Sequence, residues 1–142
     1  MIETFDKQRL TFLTLLLDMC LLSVLATFTL NMFDSFFVFF VFLCHICFYW
    51  ALFYDMTSLL EYLHYSIFLS LSVSLFLQNK WLQTICLFLL TAIQVLWIQE
   101  ERCILNDPEH SENFGYGKEI WYVTLLYSII LSAKIGYIWK DQ

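Results

Sequence analysis

The sequence has few of the residues that interrupt helices and few of the charges that keep a soluble protein in water. Three glycines and one proline occur in 142 residues, and 14% of the residues are charged. This scarcity excludes a collagen-like chain and a disordered chain rich in glycine and proline. Seven lysines and arginines stand against thirteen acids, for a net charge of −6. The clustered positive charge that binds nucleic-acid phosphates or anionic lipid is therefore missing.

Apolar residues make up 61% of the chain, whereas soluble domains are about 45–50% apolar. A chain of this length also leaves a large share of its surface exposed after folding. Water is a poor solvent for so much apolar surface, so we expect an all-α, polytopic transmembrane helix bundle embedded in the lipid bilayer. Membrane-spanning strands alternate in polarity over about ten residues, and these apolar runs are longer and do not alternate.

Five apolar runs are each long enough, at about 20 residues, to cross a bilayer as a helix. They predict a single transmembrane domain over residues 1–142, with spans at Thr11–Leu30, Phe36–Phe53, Ser58–Leu77, Trp81–Ile98 and Ile120–Trp139. All five tryptophans lie near the ends of these runs, where an indole ring meets both lipid and water. The alternative is four spans with one re-entrant or interfacial segment.

The first run extends to Leu30, beyond the ~7–15 apolar residues of a secretion signal, and we interpret it as a span. Five spans place more basic residues on the side of the N-terminus, which favours an internal N-terminus. These residues are Lys7, Arg9, Arg102 and Lys118. Residues 99–119 form a long polar loop, which is the expected place for contact with a soluble partner.

Small residues recur every four positions in two of the runs, which places each set on one face of a helix. Helices in lipid associate through close backbone approach and hydrogen bonds, so small residues mark their contacts. The candidate packing stripes are Ser66, Ser70 and Ser74 in the third run and Thr124, Ser128, Ser132 and Gly136 in the fifth. We expect the two stripes to face each other. The alternatives are that each stripe meets some other helix, or that the hydroxyl groups bond to carbonyls of their own helix.

Ionisable side chains at membrane depth are costly and often functional. At a rise of ~1.5 Å per residue, one half of the bundle holds a candidate intramembrane polar cluster of Asp18, Glu61, His64 and Gln94. We interpret the cluster as hydrogen bonding between helices, with a proton or cation relay as the alternative. The third helix is then expected to be central, because it carries polar residues on one face and serines on another. Lys134 is expected to extend its ammonium group to the membrane surface.

Two short motifs match redox or metal chemistry only in part. Cys44-His45-Ile46-Cys47 has the C-x-x-C spacing of thiol oxidoreductases, but apolar burial near the middle of the membrane disfavours the reactive thiolate. Glu61-Tyr62-Leu63-His64 has the Glu-x-x-His spacing of di-iron bundles, but the sequence contains no second copy. We therefore expect no catalytic residue, cofactor or metal site.

These patterns favour a non-enzymatic membrane subunit or scaffold of a larger assembly, such as an organellar complex or a viral or cellular membrane coat. Its expected partners are lipid and other membrane subunits or copies of itself, and not nucleic acid. One alternative is a small oligomeric ion or proton channel or transporter that uses the polar cluster. A second alternative is a membrane thiol–quinone redox protein.

Overall fold

The computed structural model describes the backbone of residues 4–100 and 117–140, and their side chains except at 4–6, 57, 61, 97, 100, 117–121 and 139. This part of the chain consists of five helices joined by turns: α1 (Thr4–Thr27), α2 (Met32–Phe53), α3 (Thr57–Ser74), α4 (Lys80–Glu100) and α5 (Gly117–Lys140). The prediction of an all-α chain is confirmed over these residues, and each helix overlaps one of the apolar runs. α1 begins ahead of its run, because the polar residues before Leu10 include no helix breaker.

Within the described chain, α1 and α2 are long and apolar enough to cross a membrane, over Lys7–Thr27 and Met32–Phe53. Shorter apolar stretches lie in α4 and α5, at Lys80–Leu96 and Tyr122–Ile138. At ~1.5 Å per residue, the 22 residues of α2 extend about 33 Å, close to the ~30 Å of a bilayer's hydrocarbon core.

Short capped turns join the first four helices. Asn31 caps α2, because its side-chain oxygen accepts a hydrogen bond of 2.8 Å from the backbone N–H of Asp34. Asp55, between α2 and α3, has a left-handed φ of 54°, which aspartate tolerates better than most residues. The side-chain oxygen of Asn79 accepts hydrogen bonds of 2.9 and 3.2 Å from two N–H groups in the first turn of α4. Turns this short make consecutive helices run in opposite directions.

Polar contacts mark the two ends of the bundle. At one end, which we call the Lys7 end, the ammonium group of Lys7 forms an ion pair with Asp55. At the other, which we call the Asn31 end, the side-chain N–H of Asn31 donates to Oε1 of Gln78 at 3.1 Å. Lys134 of α5 also contacts the α3–α4 turn at the Asn31 end. α1 therefore begins at the Lys7 end, and α5 finishes at the Asn31 end.

The apolar core is built around α4, which packs against α1, α3 and α5, whereas α3 packs mainly against α2 and α4. Leu82, Cys86 and Leu90 recur every four residues on one face of α4, and all three are buried. They join buried residues of the other four helices, including Leu21, Val38, Val41, Leu71 and Leu131. α4 rather than α3 therefore takes the central position. A smaller cluster joins α2 to α3 and consists of Phe48, Ala51, Leu52 and Leu60.

Candidate functional site

Asp18 of α1 contacts two side chains of α2. Its Oδ1 lies 2.5 Å from Nδ1 of His45, and its Oδ2 accepts a hydrogen bond of 2.9 Å from the hydroxyl of Tyr49. His45 and Tyr49 are four residues apart, so both lie on the face of α2 that meets α1. The side chains of Asp18 and His45 are 17% and 16% exposed, so the pair is largely enclosed. We call these three residues the Asp18 cluster.

The Asp18 cluster supplies hydrogen-bond partners to a largely enclosed carboxyl group, which would be costly to bury alone. The imidazole lies against one carboxylate oxygen and the phenol donates to the other, and charge-assisted hydrogen bonds of this kind are roughly twice as strong as neutral ones. These contacts join α1 to α2. A carboxyl group in direct contact with an imidazole is also the kind of pair through which proteins transfer protons.

The other members of the expected polar cluster have different surroundings. Nε2 of Gln94 donates to the hydroxyl of Ser128 at 3.1 Å, which joins α4 to α5. The ring of His64 stacks on that of Phe68, with centroids 5.4 Å apart. The side chain of Glu61 lies outside the described residues. The structure thus joins Asp18 and Gln94 to separate partners, and His45 and Tyr49 take the places beside Asp18.

The serine stripe of α3 forms hydrogen bonds within its own helix. The hydroxyl groups of Ser66, Ser70 and Ser74 donate to the carbonyls of Leu63, Ser66 and Leu71 at 2.6–2.8 Å. Ser74 is fully buried, and the other two serines are half-buried. The alternative interpretation, in which serines bond to their own helix, therefore describes this stripe. A hydrogen bond between α3 and α5 comes from outside it, from Ser72 to the hydroxyl of Tyr127 at 2.9 Å.

The stripe of α5 divides into two parts. Thr124 is buried, and Ser128 accepts the hydrogen bond from Gln94 of α4. Ser132 and Gly136 are exposed, and a Cβ atom added at Gly136 would meet nothing within 4 Å. The first half of the stripe therefore faces the centre of the bundle, and the second half faces outward.

A second polar site surrounds the α3–α4 turn at the Asn31 end. The carboxylate of Asp34, a residue that is 1% exposed, accepts hydrogen bonds from the backbone N–H groups of Gln78 at 3.1 Å and Asn79 at 2.8 Å. Sequence reasoning missed Asp34, because a charged residue between apolar runs normally meets water. The one available signal was its position three residues after Asn31, which is typical of a helix N-terminus.

Lys134 binds the same turn from α5. Its ammonium group donates to the backbone carbonyl of Leu75 and, at 3.1 Å, to that of Leu77. The ammonium group therefore lies at the Asn31 end of the bundle, and its expected position at a membrane surface stays a prediction. Leu75 directly follows the last residue of α3, and its carbonyl attracts the cation because a helix C-terminus carries partial negative charge.

The cysteines of the described residues are free thiols. Cys20, Cys44, Cys47 and Cys86 are free, and no group of three or more metal-binding side chains occurs in this part of the chain. Cys103 and most of the polar loop predicted at residues 99–119 lie outside the described residues.

Comparison of the chain with protein-family models, with curated proteins and with solved structures finds no match. Its function is therefore inferred from the outer surface of the bundle, the Asp18 cluster and the polar groups around the α3–α4 turn.

We expect a serine-to-leucine substitution to lower stability in the α3 stripe and to leave it nearly unchanged in the outward-facing part of the α5 stripe. Ser74→Leu adds volume to a fully buried position and should destabilise the protein by about 1–3 kcal/mol. Ser132→Leu adds a side chain to an exposed position and should have little effect. Thermal unfolding of both purified variants in the same detergent measures the difference. Greater damage from Ser132→Leu would show that the outer face of α5 has been assigned wrongly.

Proposed function

We propose that the chain is a non-enzymatic integral membrane protein that crosses the bilayer five times and serves as a subunit or scaffold of a larger membrane assembly. The observation that carries the proposal is the low burial of α1 and α2, the two most apolar helices. In the most apolar stretches of α1 and α2, 11% and 22% of the residues are buried within the protein. A helix in the core of a soluble protein is mostly buried, so these side chains need a cover of lipid or of partner protein.

The outer surfaces of α3, α4 and α5 support the same proposal. Each carries large exposed apolar side chains, including Leu69, Phe88, Ile98, Leu126 and Ile129. The three helices contain 18, 21 and 24 residues, which is about the length needed to cross hydrocarbon. Their directions alternate between the Lys7 end and the Asn31 end, as five successive crossings require.

The polar side chains between the helices support a structural role over an enzymatic one. Asp18 bonds to His45, Ser72 to Tyr127, and Gln94 to Ser128, and each bond joins two different helices. Interhelical hydrogen bonds of this kind stabilise helix association in lipid, by about 0.6 kcal/mol each on average. These groups already serve helix association, while the outer apolar surface remains available to lipid, to copies of the chain or to other subunits.

Proton transfer at the Asp18 cluster is the second candidate function. The observation that favours it is the direct contact between two titratable groups, at 2.5 Å, inside a helix pair. Chains of Asp, Glu and His at membrane depth relay protons in pumps and transporters. In a channel or transporter of this kind, Asp18 would have to exchange its proton with both sides of the membrane.

The number of crossings is tested by labelling the two termini. Five crossings place residues 2 and 142 on opposite sides, and the basic residues favour an internal position for residue 2. Single cysteines at these positions, in a variant whose native cysteines are replaced, should react with an impermeant reagent from different sides of sealed vesicles. Reaction of both from one side would contradict five crossings.

Membership of an assembly is tested by the mass of the native particle. We expect cross-linking in intact membranes, followed by purification in a mild detergent, to give particles well above the 17.0 kDa of one chain. Mass spectrometry of those particles would identify other membrane subunits or several copies. If the purified particle contained one chain alone, under conditions that preserve a known membrane complex from the same cells, the result would contradict the proposal.

The two candidate functions differ in what happens after reconstitution. For a structural subunit, liposomes with a pH-sensitive dye should show no proton uptake beyond that of empty liposomes. For a proton pathway, the wild type should conduct, and Asp18→Asn should stop conduction because the titratable group is lost. Asp55→Asn, which changes an exposed carboxylate in a turn, is the matched control. Conduction that Asp18→Asn abolishes at unchanged thermal stability would overturn the structural proposal.

A further inference from the structure

The end of α3 presents backbone oxygen atoms to a cation. The carbonyls of Leu75 and Leu77 accept hydrogen bonds from the ammonium group of Lys134. The last carbonyls of a helix have no partner within the helix and carry partial negative charge, so the site favours a positive ion. The cation that meets them here belongs to α5, which otherwise packs mainly on α4.

Gln83 bonds to the same turn through its side-chain N–H. Its Nε2 donates to the carbonyl of Leu77 at 2.5 Å, so Gln83 and Lys134 share one acceptor. Gln83 is 0% exposed, and its Oε1 is buried with no hydrogen-bond partner among the described residues. An orphaned buried oxygen is costly, because the group loses its hydration without a replacement. The ammonium group of Lys134 does not bond to this oxygen, so the atoms that bind the cation are the carbonyl oxygens of Leu75 and Leu77.

Asp34 supplies the negative charge. Its carboxylate binds the N–H groups at the start of α4, on the other side of the same turn, and it interacts electrostatically with Lys134. The residue is 1% exposed, so water screens this interaction little. One carboxylate together with neutral carbonyl oxygens suits a singly charged ion, whereas divalent ions usually take several carboxylates.

We propose that the carbonyls of Leu75 and Leu77 and the charge of Asp34 form a monovalent-cation site that Lys134 fills from within the chain. Backbone carbonyls replace the hydration shell of potassium in channels, and the C-terminal ends of broken helices coordinate sodium in transporters. In this protein the tethered ammonium group holds α5 against the α3–α4 turn. Removal of the side chain opens the site to free potassium or ammonium ions. The proposal is independent of the number of membrane crossings.

The test is chemical rescue of Lys134→Ala by free cations. The variant is purified in detergent and its thermal unfolding is measured in choline, potassium and ammonium chlorides of equal ionic strength. We expect a Tm about 5–10 °C below the wild type in choline, which is too large for the site. At least half of that loss should be regained in potassium or ammonium chloride. The wild type should unfold at the same temperature in all three salts, because Lys134 already occupies the site.

Two further variants separate site occupancy from a general effect of salt. Lys140→Ala removes an exposed cation from the same helix and should neither lower Tm nor create a dependence on the cation. Asp34→Asn in the Lys134→Ala background removes the negative charge and should abolish the rescue. Equal unfolding of Lys134→Ala in all three salts would overturn the proposal. Failure to recover folded Lys134→Ala from any of the three salts would overturn it as well.

Discussion

The structure depends on the α3–α4 turn, whose backbone groups form hydrogen bonds with one side chain of α2 and one side chain of α5. Asp34 accepts from the N–H groups that begin α4, and Lys134 donates to the carbonyls that end α3. Each charge therefore meets the helix terminus of opposite partial charge. Backbone groups left without partners in an apolar interior cost free energy, so the turn requires these two side chains. The same hydrogen bonds connect α2 and α5, which are distant in sequence, to the turn between α3 and α4.

Charged and polar contacts of this kind matter because the apolar core alone is small. Buried side chains form one continuous face on α4, but much of α1, α2 and α5 is turned outward. In the membrane setting that we propose, helices gain little hydrophobic energy from contact with one another, so packing and hydrogen bonds would select the arrangement. The Asp18 cluster between α1 and α2, and the bond from Gln94 to Ser128 between α4 and α5, are such selective contacts.

The candidate site was predictable in part. Asp18 is recognisable from sequence, because a carboxylate inside a long apolar run is costly and must have a partner. Its partner was not recognisable from sequence. Three candidates lie at similar heights along their helices, namely His45, His64 and Gln94, and the rotation of each helix decides which one faces Asp18. For the same reason the small-residue stripes indicated packing faces without their partners, and Ser132 and Gly136 face outward.

The sequence by itself determined that the chain is helical, where its helices lie and that two of them are long and apolar enough to cross a membrane. Those properties depend on local composition: long apolar runs, few helix breakers, and an asparagine at the start of α2 and of α4. Only the tertiary structure decided that α4 is central, that His45 meets Asp18, and that Lys134 turns inward to the end of α3. These outcomes depend on the relative rotation and height of helices far apart in the chain, and a helix presents the same repeating faces whichever neighbour it meets.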